Sequence, residues 1–352
     1  MSDETKEINV SEEVQKLKAE LETLVQDIQK IIPTAASKGI RTPLGWLKDL
    51  PKKVPLKNPL TAIKNSDLLD PDTWKGIKYI LDARREAAKR RKDGDYPVDE
   101  YGLDEEFFDK CRPMLSFLYH KYWRVETFGI ENIPSEGPAL LVCNHSGVLP
   151  WDGAMVNAAV WEEHPNPRYV RTLFLQWFTS VPIVAPLLAR TGQVLACPEN
   201  AQRLLEEGRL VAVFPEGLKG VGKLYKDRYH LARFGRGGFI RTAIHGKAPI
   251  IPVSIVGAEE IHPNLLRLDF LGKPLGLPYF PITPTFPLLG PLGVIPLPSK
   301  WMIKFCEPIP MDSYTAQDAL DFLTVSKLTE TVRENIQDGI KELLVKRKRA
   351  FF

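Results

Sequence analysis

In this 352-residue chain a histidine stands directly after an apolar run, in ALLVCNHSGVLPWD, and a glutamate directly after another, in RLVAVFPEGLKGVGK. Strand ends are where layered α/β folds present functional groups, because the strand is buried and the turn after it is not. His145 in such a place could take a proton from a hydroxyl near neutral pH. A carboxylate would have to hold its ring, and two are candidates: Asp152, seven residues further on, and Glu216 at the second strand end. On a continuous helix a seven-residue step spans about 10 Å, too far for a hydrogen bond. Either the loop around Gly147 and Pro150 folds back to bring Asp152 to His145, or Glu216 is the partner and Asp152 only compensates a helix dipole in a first turn.

The elements that would position these groups follow from hydrophobic patterning. Ala139–Cys143, Leu210–Phe214, Ile250–Val256 and Trp301–Phe305 read as buried strands, alternating with helical stretches such as Ala201–Glu207 and Phe239–Ile244. That alternation predicts an α/β fold with a mixed, mostly buried sheet flanked by helices, behind an N-terminal helical extension. Upstream, Val10–Ile32 carries a seven-residue apolar repeat (Val14, Leu21, Ile28) for a helix that packs on its own domain or pairs two chains into a homo-oligomer. Thr42–Ser66 reads as a linker, Pro71–Lys92 as a helix with a basic end, and Asp104–Tyr122 as an amphipathic helix. The expected organisation is a heptad helix over 1–33, a linker and helical extension over 34–122, and the functional domain over 123–352.

Composition narrows the class. Apolar residues make up 44% and charged residues 26%, as in ordinary globular proteins, and a net charge of +3 gives no reason to expect nucleic acid. The four cysteines are widely spaced and suggest neither a disulfide framework nor a metal site. The acidic N-terminus lacks the pattern of a secretory signal, so a cytoplasmic location is expected. Two windows carry no charge, Thr172–Ala189 and Pro274–Ser299. Eight prolines in the second block a regular helix, so it is expected to lie at an interface or wall an apolar pocket. Trp177, Phe178, Phe280 and Phe286 would be its and its neighbour's interfacial anchors.

Three motifs in order, NHSGVLPWD, FPEG (Phe214–Gly217) and IIPVSIVG (Ile250–Gly257), each at a predicted strand or strand end, resemble the phospholipid and glycerol acyltransferase family across about Trp123–Pro310. The resemblance implies direct transfer of a fatty acyl group from a thioester, acyl-CoA or acyl carrier protein as co-substrate, to a hydroxyl of a glycerolipid acceptor, with no bound cofactor and no metal. His145 would be the general base, with Asp152 or Glu216 completing the catalytic set. Asn144, Pro215, Gly217, Lys219 and Lys223 would contact substrate. It also implies a role in phospholipid biosynthesis and peripheral attachment to the membrane surface.

Two departures matter. The family's histidine and aspartate are usually separated by four residues, where this chain has six; that keeps open a catalytically weak lipid-binding or scaffolding protein of the same fold. Lysine (Lys219) stands where glycerol-phosphate members carry an arginine, and Pro198 aligns with another, so a neutral acceptor such as diacylglycerol or a long-chain alcohol becomes credible. Gly217–Lys223 also fits G-x-x-x-x-G-K, but Leu224 follows where a P-loop needs Ser or Thr. Arg233, Arg236 and Arg241 among Gly235, Gly237 and Gly238 read as a tight basic turn with a secondary role in binding anions. Ser146 is not expected to be a nucleophile, since no G-x-S-x-G elbow is present.

Overall fold

The computed structural model describes residues 98–352, apart from 147–148, 177, 179–183, 273–277 and 352. The heptad helix and its oligomer contact, the linker, the Pro71–Lys92 helix and the boundary at residue 33 lie outside the described residues.

The fold is α/β, as the alternating pattern predicts. Strands β1 (Glu126–Phe128), β2 (Ala139–Cys143), β3 (Val170–Phe174), β4 (Val194–Leu195), β5 (Leu210–Val213), β6 (Ile250–Val256) and β9 (Met302–Phe305) form one sheet in the order β1-β9-β6-β2-β5-β3-β4. From β6 to β4 the neighbours are parallel; β9 pairs antiparallel with β6 and parallel with β1. Every residue of β2 and β6 is buried. Because successive side chains on a strand point to opposite faces, Leu141 and Cys143 enter one core while Leu140 and Val142 enter the other. Burial on both faces is why these strands read as unbroken apolar runs. A separate hairpin, β7 (Leu266–Leu268) with β8 (Phe280–Ile282), lies in the segment between β6 and β9.

Helix α1 (Glu105–Phe117) begins at the predicted place, with the Asp104 side chain accepting from Phe107 N–H, and continues into a π-helical turn over Leu118–Tyr122. It packs against α2 (Trp151–Glu163) and α3 (Val184–Arg190), and Asp104 pairs with buried Arg190 at 2.8 Å. This part of the 34–122 stretch therefore shares a body with the sheet. Further helices are α4 (Pro198–Glu206), α5 (Leu218–Val221), α6 (Gly238–His245), α7 (Asp269–Gly272) and α8 (Ala316–Leu320).

The longest helix, α9 (Phe322–Lys346), was not anticipated. Val325, Leu328, Val332, Ile336, Ile340 and Leu343 bury one stripe of it against the core that also holds α4 and α6. Gly339 lets it approach β6, where an added Cβ would lie 2.3 Å from Ser254 Oγ. The basic tail after it is only partly a solvated end: the Arg347 side chain is 4% exposed, pairs with equally buried Glu260, and donates to the Tyr229 hydroxyl.

Removing one partner of a buried ion pair leaves the other uncompensated. Arg347→Ala is expected to lower unfolding free energy in a denaturant titration by about 3–5 kcal/mol. Lys348→Ala, at the exposed neighbour, is expected to leave the midpoint unchanged.

Candidate active site

The adjacent parallel strands β2 and β5 end side by side, and the groups that follow them meet. His145 Nδ1 lies 2.6 Å from Asp152 Oδ2. A carboxylate only accepts, so Nδ1 is the donor of this bond, and in the neutral imidazole Nε2 is then the nitrogen with the lone pair. Asp152 is 1% exposed and is held by two more donors, Ser146 N–H at 3.1 Å and Gly153 N–H at 2.9 Å. Three donors on a buried carboxylate satisfy the charge that burial would otherwise penalise. The seven-residue step is closed because α2 starts only at Trp151, so no helix separates the two side chains. Trp151 packs edge-on against Trp123, which stacks on Trp301 at 4.9 Å, and this aromatic cluster anchors the start of α2.

The His145 side chain keeps 12% of its surface accessible, and among the described residues no protein group bonds Nε2. The Phe214 ring lies against the imidazole, centroids 4.7 Å apart. Neighbouring Cys143 is fully buried; burial first, then the Asp152 charge, raises its thiol well above the ordinary value, so it is no thiolate nucleophile. Ser146 is 1% exposed, its hydroxyl enclosed, and it is not presented to a substrate either.

Glu216 is not the ring's partner. Its Oε1 accepts the His145 backbone N–H at 2.8 Å and its Oε2 accepts Ala232 N–H at 2.6 Å. Lys223 Nζ stands 3.3 Å from Oε2 and 2.8 Å from Glu259 Oε1. Burial pulls the Lys223 ammonium down, but Glu259 and Glu216 together outweigh it and hold the group above the usual lysine value. Lys223, expected to contact substrate, serves here as an internal countercharge. Asn144, also expected to touch substrate, is 1% exposed and extends the sheet with its carboxamide: it donates to Ile255 O at 3.0 Å and accepts Ile255 N–H at 2.7 Å. Pro215 O accepts Gly235 N–H, and Lys219 is exposed on α5.

Two glycines set the fit. Gly217 caps α5 at φ 54°, ψ −140°, a conformation closed to residues with a Cβ, and the space beside it is open. Gly220, which sequence reasoning passed over, lets α5 press onto His145: an added Cβ would lie 2.7 Å from His145 Cβ and 2.8 Å from Glu216 Cβ. Glu259 was also missed. Its signal was a pair of acids directly after the buried β6 run.

An apolar cavity of about 190 Å³ adjoins this constellation, lined among others by Leu149, Val221, Tyr279, Phe286 and Val294. Leu149 belongs to the loop between His145 and Asp152, and Val221 to α5. The proline-rich window therefore walls a pocket, as expected, but its aromatics are not protruding anchors. Phe280 and Phe286 pack on each other at 5.2 Å, Phe178 is buried, and Trp177 lies outside the described residues. His262, another cavity residue, is buried too, which lowers its pKa; its Nε2 donates to Val294 O.

Gly220→Ala has no room for its methyl unless α5 or His145 shifts. The His145 ring resonances in an NMR spectrum are expected to move from the parent positions, with a loss of roughly 1–3 kcal/mol in stability for the overpacking. Unmoved resonances would contradict the close fit.

The acyltransferase family profile matches residues 124–256, the stretch that holds both His145 and Glu216. An uncharacterized protein of Mycobacterium leprae is 50% identical over 265 residues, covering 75% of this chain and 72% of that protein. The Gallus gallus protein named DGAT1/2-independent enzyme synthesizing storage lipids is 28% identical over 266 residues, covering 74% of this chain and 75% of that one. Among solved structures, the 1-acyl-sn-glycerophosphate (LPA) acyltransferase of Thermotoga maritima aligns with a TM-score of 0.48 at 17% identity, covering 82% of this chain and all of that one. With the matched stretch carrying the histidine and F-P-E-G motifs at neighbouring strand ends, the chain belongs to the phospholipid and glycerol acyltransferase family.

Proposed function

We propose that the enzyme moves a fatty acyl group from a thioester donor, acyl-CoA or acyl carrier protein, to the hydroxyl of a lipid acceptor, with His145 as general base. The observation that carries this reading is the 2.6 Å bond between His145 Nδ1 and Asp152, which leaves Nε2 as the acceptor nitrogen of the neutral ring, with Leu149 of the intervening loop lining an apolar cavity. Nε2 takes the acceptor's O–H proton while the oxygen attacks the thioester carbonyl. The tetrahedral intermediate collapses with loss of the thiolate, which recovers the proton from the imidazolium. Asp152 holds the tautomer and stabilises the imidazolium charge, and the acyl chain lies in the cavity walled by Tyr279, Phe286 and Val294. The direct contact of His145 with Asp152 answers the objection that the widened spacing raised, so the scaffolding reading loses its main support.

A neutral acceptor, diacylglycerol or a long-chain alcohol, is the preferred substrate class over lysophosphatidic acid or glycerol-3-phosphate. Lys223 is committed to Glu259 and Glu216, which leaves Lys219 as the lysine of this loop turned to solvent. The printed name of the Gallus gallus relative, an enzyme synthesizing storage lipids, points the same way. Among the described residues no helix is long and apolar enough to cross a membrane, and the enzyme works peripherally at the cytoplasmic surface of the bilayer that holds its acceptor.

Release of free CoA from long-chain acyl-CoA, assayed across a panel of acceptors, tests the proposal. His145→Ala and Asp152→Asn are each expected to reduce kcat by about 10²–10⁴-fold, with diacylglycerol favoured over lysophosphatidic acid in the parent. Parental turnover in His145→Ala would sink the mechanism. Parent inactivity on every acceptor and donor would favour the scaffold.

A further inference from the structure

Three of the most exposed large apolar side chains among the described residues fall within four consecutive positions: Leu320 at 72%, Phe322 at 71% and Leu323 at 75%. Single exposed apolar residues are ordinary, but a cluster of this kind marks a contact surface. The backbone beneath it is not a frayed end. Thr315 and Asp318 form a capping box on α8, and Asp321 caps α9 by accepting from Leu323 and Thr324 N–H. The apolar tips are thus displayed where capped α8 ends and capped α9 begins.

Beside them runs the basic glycine turn that the catalytic reading leaves unused. The Arg241 guanidinium ties the two together, Nε donating to Ala319 O at 3.0 Å and Nη1 to Arg236 O at 2.8 Å. Gly237 lies so close to α9 that a Cβ there would sit 2.3 Å from Val325 Cγ1. Arg233 and Arg236 are exposed, as is Lys327 one turn into α9, and none of the three has a side-chain partner among the described residues. The neighbouring carboxylates, Asp318 and Asp321, point into the helix caps, where their hydrogen bonds hold both below the usual carboxylate range. The same turn reaches the active site: Gly235 N–H donates to Pro215 O and Ala232 N–H to Glu216.

We infer that Leu320, Phe322 and Leu323, flanked by Arg233, Arg236 and Lys327, form the face by which the enzyme docks on an anionic lipid surface. Guanidinium and ammonium groups without internal partners meet phosphate headgroups, while aliphatic and aromatic tips enter the boundary below them. The inference deepens the proposed function, resting on its reading that the acceptor is a membrane lipid, and places the bilayer one loop away from the F-P-E-G turn.

Co-sedimentation of the full chain with vesicles tests this without any turnover. The parent is expected to bind vesicles of phosphatidylglycerol mixed with phosphatidylcholine, to bind phosphatidylcholine alone more weakly, and to be released by salt. Arg233→Gln with Arg236→Gln is expected to weaken binding to the anionic vesicles about 25-fold, at roughly fivefold per cation, and to leave binding to the neutral ones unchanged. Phe322→Ser with Leu323→Ser is expected to weaken both, with thermal unfolding unaltered because those side chains are exposed. Parental binding by both variants would overturn the inference, as would a parent that binds neither vesicle. A concentration-dependent dimer of the parent, abolished by the Phe322 and Leu323 substitutions, would overturn it in favour of a second copy. His145→Ala is expected to bind like the parent, so failure of docking and failure of the catalytic reading are separable.

Discussion

The buried Glu216 carboxylate is the hinge pin of this site. One oxygen holds the backbone of His145 after β2; the other holds the backbone of Ala232 in the turn before α6, and Lys223 brings in Glu259 from beyond β6. Three strand ends and a loop are thereby joined through two carboxylates and one ammonium, all sheltered from water. A charge in such a place is tolerable only while every lone pair has a donor. The F-P-E-G glutamate accordingly holds backbone, while the imidazole ring is bonded to a different carboxylate, Asp152.

Much of the frame was legible in the sequence, for a physical reason. A strand covered on both faces must be apolar throughout, so Ala139–Cys143 and Ile250–Val256 announced themselves with the correct bounds. The proline-rich window was legible as a pocket wall because eight prolines leave no regular helix open to it. The C-terminal helix was legible too and was missed: its apolar residues Val325, Leu328, Val332, Ile336, Ile340 and Leu343 recur at three and four.

The site was harder because a sequence states the type of a side chain and not its partner. Asn144 and Lys223 look like substrate ligands until their partners are known, and those partners lie 111 and 36 residues away. The distance argument against Asp152 assumed a helix running on from His145. Helix α2 begins only at Trp151, whose ring packs edge-on against Trp123, and Asp152 in its first turn reaches His145. No periodicity reports a contact between residues 123, 151 and 301.

The contact of Gly220 with His145 carries a consequence for how such an enzyme can diversify. Because α5 rests against His145 with no side chain between them, the F-P-E-G turn and the imidazole are closely fitted to each other. Reshaping that turn would shift the His145 ring with it. Strand β8 and the segment up to residue 294 wall much of the cavity and, among the described residues, make no hydrogen bond to His145, Asp152 or Glu216. Substitutions there can reshape the cavity while the His145–Asp152–Glu216 geometry stays fixed, so the fold separates a wall it can vary from a contact set it cannot.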